Sequence, residues 1–215
     1  MNVSIISVTV PCIKSLMTAE DLVIYTARVS NPSNQLNLDT GKKLISYCIK
    51  HEHWSPFEQV SMGVEIVTSR MISAQILRHK SFSFQEFSQR YSTVQSLEPV
   101  EIRRQADKNR QSSTDVMDDP YCKALVQQTA IACQDAYDKL IARGAARECA
   151  RAVLPLSSQT TLYMTGTLRS WIHYIKLRTK EDTQKEHRDI ANKIKSILGN
   201  EFPTVYDSIW GACGE

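Results

Sequence analysis

Segments with the two-residue periodicity of strands alternate along this chain with segments of helical periodicity, and that alternation restricts it to the α/β and α+β classes. "NVSIISVTV" (2–10) alternates up to Pro11, as a first strand does. In "TAEDLVIYTARVS", Thr18 stands where a helix N-cap would and Asp21 at the capping-box position, with Leu22, Tyr25 and Val29 as the apolar stripe. "DTGKKLISYCIKHEH" predicts a second helix from near Asp39, facing inward through Leu44, Tyr47 and Cys48 and ending at His51 and His53. "VSMGVEIVTS" reads as a central or half-buried strand running into a helical "MISAQILRH", which brings Gln75 and Arg78 to neighbouring positions of one face. The chain is expected to leave that helix near Lys80 for loop and strand.

The stretch 96–119 is polar and predicts a mobile excursion within a single domain, 1–215. "YCKALVQQTAIACQDAYDKLIARG" is the strongest helix signal, with Leu125, Cys133, Ala136 or Tyr137, and Leu140 on its apolar side and Gly144 as its stop. A turn at Pro155, a β-rich run, a helix through "LRSWIHYIKLR", another from about Glu181 to Leu198 ending at Gly199, and a short one in "FPTVYDSIW" complete the chain. The fold class is α+β, a mixed core with a central sheet and packed helices.

Composition limits the ligands. Among 215 residues, 26 Lys plus Arg against 23 Asp plus Glu leave a net charge of +3, too weak an excess for a broad nucleic-acid face. Six cysteines (12, 48, 122, 133, 149 and 213) show no CxxC or CxxH spacing, so neither structural zinc nor a disulfide framework is expected, and the compartment is a reducing, cytoplasmic one. Cys122 and Cys133 read as buried thiols on a helix. No apolar run is long enough to predict a membrane span.

The chemistry concentrates in "QILRHKSFSFQEFSQRYS", from Gln75. Arg78 and Arg90 flank Glu86 and Ser88, a set able to hold a phosphate at one end and a base or sugar at the other, or to form a surface ion-pair cluster. Phe82, Phe84, Phe87 and Tyr91 can stack on a heterocycle or bury one side of a strand. "HEHW" is not HExxH: His51 and His53 suit hydrogen bonding near a ligand better than metal, and no metal site is expected. Glu58 can satisfy a polar group or touch a ligand. A second basic set, Arg143, Arg147, Arg151, Arg169 and Arg178, follows; four-residue spacing aligns Arg147 with Arg151 if the helix persists or resumes after Gly144, and their like charges then repel unless Glu148 or an anion intervenes. Arg151 precedes a buried-looking "AVLP", which favours an anion pocket over an inter-subunit salt bridge. With no GxGxxG and no P-loop, any phosphate must be held by arginines and helix ends. Ser88 has no partnered base nearby in sequence to make it a nucleophile.

In order, "HWSPFEQ", "QILRHK", "QEFSQRYS", "ECARAVLP" and "LRSWIHYIKLR" resemble the blocks of the flavin-dependent thymidylate synthases, with Arg78-His79-Lys80, Glu86, Ser88 and Arg90 matching the family signature. The likeness spans about residues 1–210, weakly near 95–120. It implies reductive methylation of dUMP to dTMP, with 5,10-methylenetetrahydrofolate as carbon donor, FAD as hydride carrier, NADPH as reductant, and a homotetramer with shared active sites. It also implies a nucleotide set of Gln75, Arg78, Glu86, Ser88, Arg90, Arg151 and Arg178, with Arg178 on the pyrimidine and Ser88 as positioner, not nucleophile. Ser30, His53, Ser55, Glu58, Arg78, His79, Lys80, Arg169 and His173 align with positions that line the flavin. Three positions depart from the family pattern: Lys80 replaces an arginine, His173 an asparagine, and Asp182 a histidine. These departures keep a non-catalytic flavin- or nucleotide-binding module as the alternative; a single-stranded nucleic-acid binder fits the small net charge poorly.

Overall fold

The computed structural model describes residues 1–93 and 96–211; Cys213 lies outside the described residues. Among the described residues there are six strands, β1 (Asn2–Val8), β2 (Ser61–Ser69), β3 (Ser83–Glu86), β4 (Arg103–Gln105), β5 (Ser113–Val116) and β6 (Gln159–Thr167). The helices are α1 (Ala19–Ala27), α2 (Gly41–Lys50), α3 (Arg70–Ile76), α4 (Pro120–Ala142), α5 (Arg147–Ala150), α6 (Leu168–Arg178), α7 (Lys185–Glu201) and α8 (Pro203–Trp210). The main sheet has the order β1-β2-β6-β3 with every pairing antiparallel, and β4 and β5 form a separate hairpin within the polar stretch. The mixed fold with a central sheet and packed helices agrees with the sequence reading.

The register places the alternating residues of the central strands on one face. Val64 lies opposite Met164 and Ile66 opposite Leu162, all four fully buried. Glu65 and Tyr163, also cross-strand partners, face the other way, and Tyr163 is 41% exposed. Ile72 and Ile76 of α3, Trp171, Ile172 and Ile175 of α6, and Ile190, Ile194 and Leu198 of α7 join the strands in one apolar cluster. Each central strand passes directly into a helix capped by its own last residue. Ser69 Oγ accepts from the Ile72 amide, and Thr167 Oγ1 from the Ser170 amide. Because β2 and β6 are antiparallel, α3 and α6 start from opposite ends of the pair, and their C-terminal ends meet where His79 touches Arg178.

The capping box at Thr18 and Asp21 forms as expected. Its helix turns differently: Ala19, Val23 and Ile24 face inward, and Val29 lies past the end, 68% exposed. Glu20 is turned inward too, because its carboxylate accepts from the Val205 amide (2.8 Å) in the first turn of α8. Burial raises the Glu20 pKa. In α2, which starts at Gly41, Ile45 and Cys48 are buried while Tyr47 is half-exposed and lies against His51. The last long helix begins at Lys185 and runs through Gly199, where it passes so close to the Tyr206 ring that a Cβ would stand 3.0 Å from it. That glycine serves helix packing and does not stop the helix.

The expected apolar side of α4 is not buried in the single chain. Tyr137 is buried, but Leu125 is 51% exposed, Leu140 37% exposed, and Cys122 and Cys133 only partly covered. The helix packs on α5 and the turn after it, away from the main core. The run after Arg151 is likewise open, with Val153 and Leu156 exposed. No helix among the described residues is long and apolar enough to cross a membrane.

Candidate active site

Three groups of side chains hold the candidate residues. The first lies where α3 and α6 end. Arg178 donates from Nε to His79 Nε2 at 3.0 Å, and the His79 ring stands edge-on to Tyr174 at 4.8 Å. Tyr174 shares a hydrogen bond with His187 Nε2 (3.1 Å), and His187 Nδ1 with Gln75 Oε1 (3.2 Å). Burial, then the positive charges of Arg178 and Arg78, lower the His79 pKa to about 4. Burial, then Arg178 and His79, lower that of His187 to about 3. Both imidazoles are therefore neutral at pH 7, and the Arg178 bond requires the His79 proton on Nδ1. Arg78 and Lys80 are exposed on the turn that carries His79.

These depressed values make a stability prediction. The folded protein holds both imidazoles neutral while the unfolded chain protonates them near pH 6.5, so the unfolded state binds more protons below that pH. Stability is fully present above pH ~6.5 and is lost as pH falls toward the folded values near 4 and 3. Urea midpoints should fall between pH 6.5 and 5, less steeply in His187→Gln. Equal pH slopes in the two proteins would contradict the assignment.

The second group flanks β3. Glu86 accepts from Ser73 Oγ (2.6 Å) and Thr160 Oγ1 (3.1 Å) and pairs with Arg70 (2.8 Å), so it ties β3 to α3 and β6. Beyond it, Ser88, Arg90, Tyr91, Arg147 and Glu148 line an open cleft of about 420 Å³. Arg90 reaches the Glu148 carboxylate at 3.6 Å, and Arg151 donates to the Glu148 carbonyl at 3.3 Å. Glu148 thus meets Arg90 through its carboxylate and Arg151 through its main-chain carbonyl. Because the Arg90–Glu148 pair is exposed on both sides, it contributes little to stability and is easily exchanged for an anion. The helix resumes after Gly144 as the four-residue spacing requires, but only for the short α5, and a tighter turn takes over at Arg151.

The third group is the outer face of α6 and the turn before β2. His173 packs on Trp54 (4.9 Å), Lys176 lies over the same indole (5.9 Å), and Arg169 pairs with Glu58. Burial, then Arg169 and Lys176, lower the His173 pKa. His53, edge-on to Tyr47 and tilted against His51, adjoins Trp54, while Ser30 and Ser55 are exposed on their own turns. Asp182 is exposed in the α6–α7 turn and lines a cleft of about 310 Å³ facing the β4–β5 hairpin. Among the described residues no group of three or more His, Cys, Asp or Glu could hold a metal ion.

The open question about the rings divides. Phe82 is a core residue against Trp171 (4.6 Å), seated over Gly166, where a Cβ would collide with its ring. Tyr91 is 88% exposed beside the arginine cleft. Sequence reasoning missed His187, although it shares a helical face with Ile190, Ala191 and Ile194 and so stood out as a polar residue on an apolar stripe. It also missed Arg70, for which the sequence offers no signal.

The chain matches the family described as thymidylate synthase complementing protein over residues 13–204. It is 51% identical over 209 residues to a probable flavin-dependent thymidylate synthase of Paramecium bursaria Chlorella virus 1, covering 95% of this chain and 97% of that protein. To the flavin-dependent thymidylate synthase of Synechocystis it is 48% identical over 211 residues, covering 95% and 97% of the two chains. The crystal structure of a UMP/dUMP methylase, PolB, from Streptomyces cacaoi superimposes with a TM-score of 0.83 at 24% identity over 97% of this chain and 94% of that one, a likeness of fold. Together with the ordered motifs, these matches place the chain in the flavin-dependent thymidylate synthase family.

Proposed function

We propose that this chain reductively methylates dUMP at C5 to give dTMP, using methylenetetrahydrofolate, NADPH and FAD. The observation that carries the reading is the pair of arginine centres: Arg178 held on a neutral His79, and Arg90 with Arg151 gathered around Glu148. Arg90 and Arg151 would take the nucleotide phosphate, which would replace the Glu148 carboxylate as the counter-charge of Arg90. Arg178 and Gln75 would face the pyrimidine, where a cation at a ring carbonyl stabilises the negative charge that makes C5 nucleophilic. Ser88, exposed at the cleft, would orient the nucleotide, and no side chain would attack the ring. Glu86, fully engaged by Arg70, Ser73 and Thr160, would keep β3 in place beside it.

The residues present fit a flavin dinucleotide. The exposed Arg78 and Lys80 and the half-buried Arg169 suit its phosphates, while His53, Ser55, Glu58, His79, His173 and Ser30 offer donors and acceptors for its rings and ribitol. When bound, FAD would supply the hydride chemistry, with NADPH as the reductant. Lys80 gives a point charge where an arginine would give a fork, so it can hold a phosphate with less directional control. His173 keeps a neutral imidazole able to donate one hydrogen bond. Assembly into a homotetramer with shared active sites agrees with the uncovered apolar residues of α4, Leu125, Ile131 and Leu140.

Arg90→Ala should weaken dUMP binding about 10- to 100-fold, the range for one charged hydrogen bond, and change FAD binding far less. Titration of each ligand checks this, and equal losses for both would contradict it. The reaction class is tested by reducing the bound flavin with NADPH and then adding dUMP and methylenetetrahydrofolate. Reoxidation without oxygen supports the synthase. A flavin that stays reduced points to the non-catalytic binding module that the departures at Lys80, His173 and Asp182 leave as the alternative.

A further inference from the structure

We infer that Glu186, clamped by Arg103 of the β4–β5 hairpin, is a positioning residue that fixes which way round the Gln75 amide faces. This rests on the reading that Gln75 contacts the pyrimidine. Arg103 Nη2 donates to both Glu186 oxygens, at 2.7 and 2.8 Å, and the side chains are only 9% and 16% exposed. A guanidinium can only donate and a carboxylate can only accept. The Gln184 amide therefore turns its Nε2 to Glu186 (2.9 Å) and leaves its Oε1 to accept from Gln75 Nε2 (2.7 Å). Gln75 Oε1 is then the atom left facing His187, and it accepts from Nδ1–H (3.2 Å). His187 Nε2 carries no proton and accepts the Tyr174 hydroxyl (3.1 Å).

Each link has one sense once the carboxylate is in place. Gln75 keeps one N–H and one lone pair for a ligand, and the chain decides where each of them points. Reversing the chain would exchange them and present the pyrimidine with a donor where it needs an acceptor. The same guanidinium holds the hairpin together through Ser113 Oγ (2.9 Å) and Glu101 (2.8 Å). Docking of a polar surface hairpin is thereby coupled to a group in the nucleotide site.

Glu186→Gln tests this, because the isosteric amide can donate to Gln184 and permit the reversed chain. In full-length protein labelled with [15N]histidine, solid-state spectra should show His187 with its proton on Nδ1. The His187 signals are assigned by their loss in His187→Leu. In Glu186→Gln the tautomer protonated on Nε2 should appear. The variant should bind dUMP about tenfold more weakly, as for one misplaced hydrogen bond, and should have no further effect in a Gln75→Ala background. The double variant Arg103→Met/Glu186→Gln, in which no guanidinium faces the new amide, should show the same non-additivity and serves if Glu186→Gln alone folds poorly. An unchanged tautomer, or equal loss of dUMP affinity in both backgrounds, overturns the proposal. If Gln75→Ala itself leaves dUMP binding intact, the pyrimidine reading fails, while the tautomer result still decides the coupling.

Discussion

Arg178→Ala is expected to lower kcat for dTMP formation about 10²- to 10³-fold, the cost of losing one fixed donor at a developing oxyanion. The residue closes α6 and is held by His79, so its guanidinium is oriented before any substrate arrives. Such pre-orientation makes the charge effective in the transition state, because no reorganisation is needed when the pyrimidine becomes electron-rich. Arg178→Lys keeps the charge but loses the planar fork and the Nε–H, so it should recover only part of the rate. The substitution has a second reading. Burial is the first cause of the low His79 pKa, and Arg178 the second, so in Arg178→Ala that pKa should rise from about 4 toward its ordinary value without reaching it. Steady-state kinetics and a histidine titration check the two effects. A variant with undiminished kcat would remove Arg178 from the chemistry.

Trp171→Ala should cost about 3–5 kcal/mol of folding stability, the range for removing a large buried aromatic side chain. Trp171 is fully buried, packs on Phe82 (4.6 Å) and Tyr174 (5.8 Å), and donates from Nε1 to the Met62 carbonyl (2.9 Å). It thus joins α6 to β2 and to the residue that precedes β3. Domains of this kind are stable by only about 5–15 kcal/mol, so the loss is a large fraction of the total. Trp171→Phe keeps most of the packing and should cost about 1 kcal/mol for the unmade hydrogen bond, plus a smaller cavity contribution. Urea unfolding measures both. A cost below about 1 kcal/mol for the alanine variant, well under the range for such truncations, would contradict the packing assigned here.

Local signals were legible where local physics decides. Thr18 and Asp21 marked a helix start, and "LRSWIHYIKLR" marked all of α6, because capping and periodicity act over a few residues. Gly199 misled because a glycine can serve a close helix crossing as well as a stop, and only the position of Tyr206 tells which. The apolar residues of α4 were visible in sequence, but what they face in the single chain was not. The site followed the same rule. Arg78, Arg90, Arg151 and Arg178 stood out by type and spacing, yet that Glu148 meets two of them and His79 a third depends on contacts up to 99 residues apart. His187 carried a local signal, a polar residue on the apolar stripe of its helix, but its role and that of Arg103 lie in partners, Gln75, Gln184 and Glu186, that no short motif contains.

The most direct measurement is single-turnover mixing, under anaerobic conditions, of flavin-loaded protein with dUMP, methylenetetrahydrofolate and NADPH, followed by mass analysis of nucleotide and protein. The expected result is dTMP in the amount of the reduced flavin and no pyrimidine covalently attached to the chain. Full flavin reduction with no dTMP, or a dUMP adduct trapped on Ser88, would contradict it.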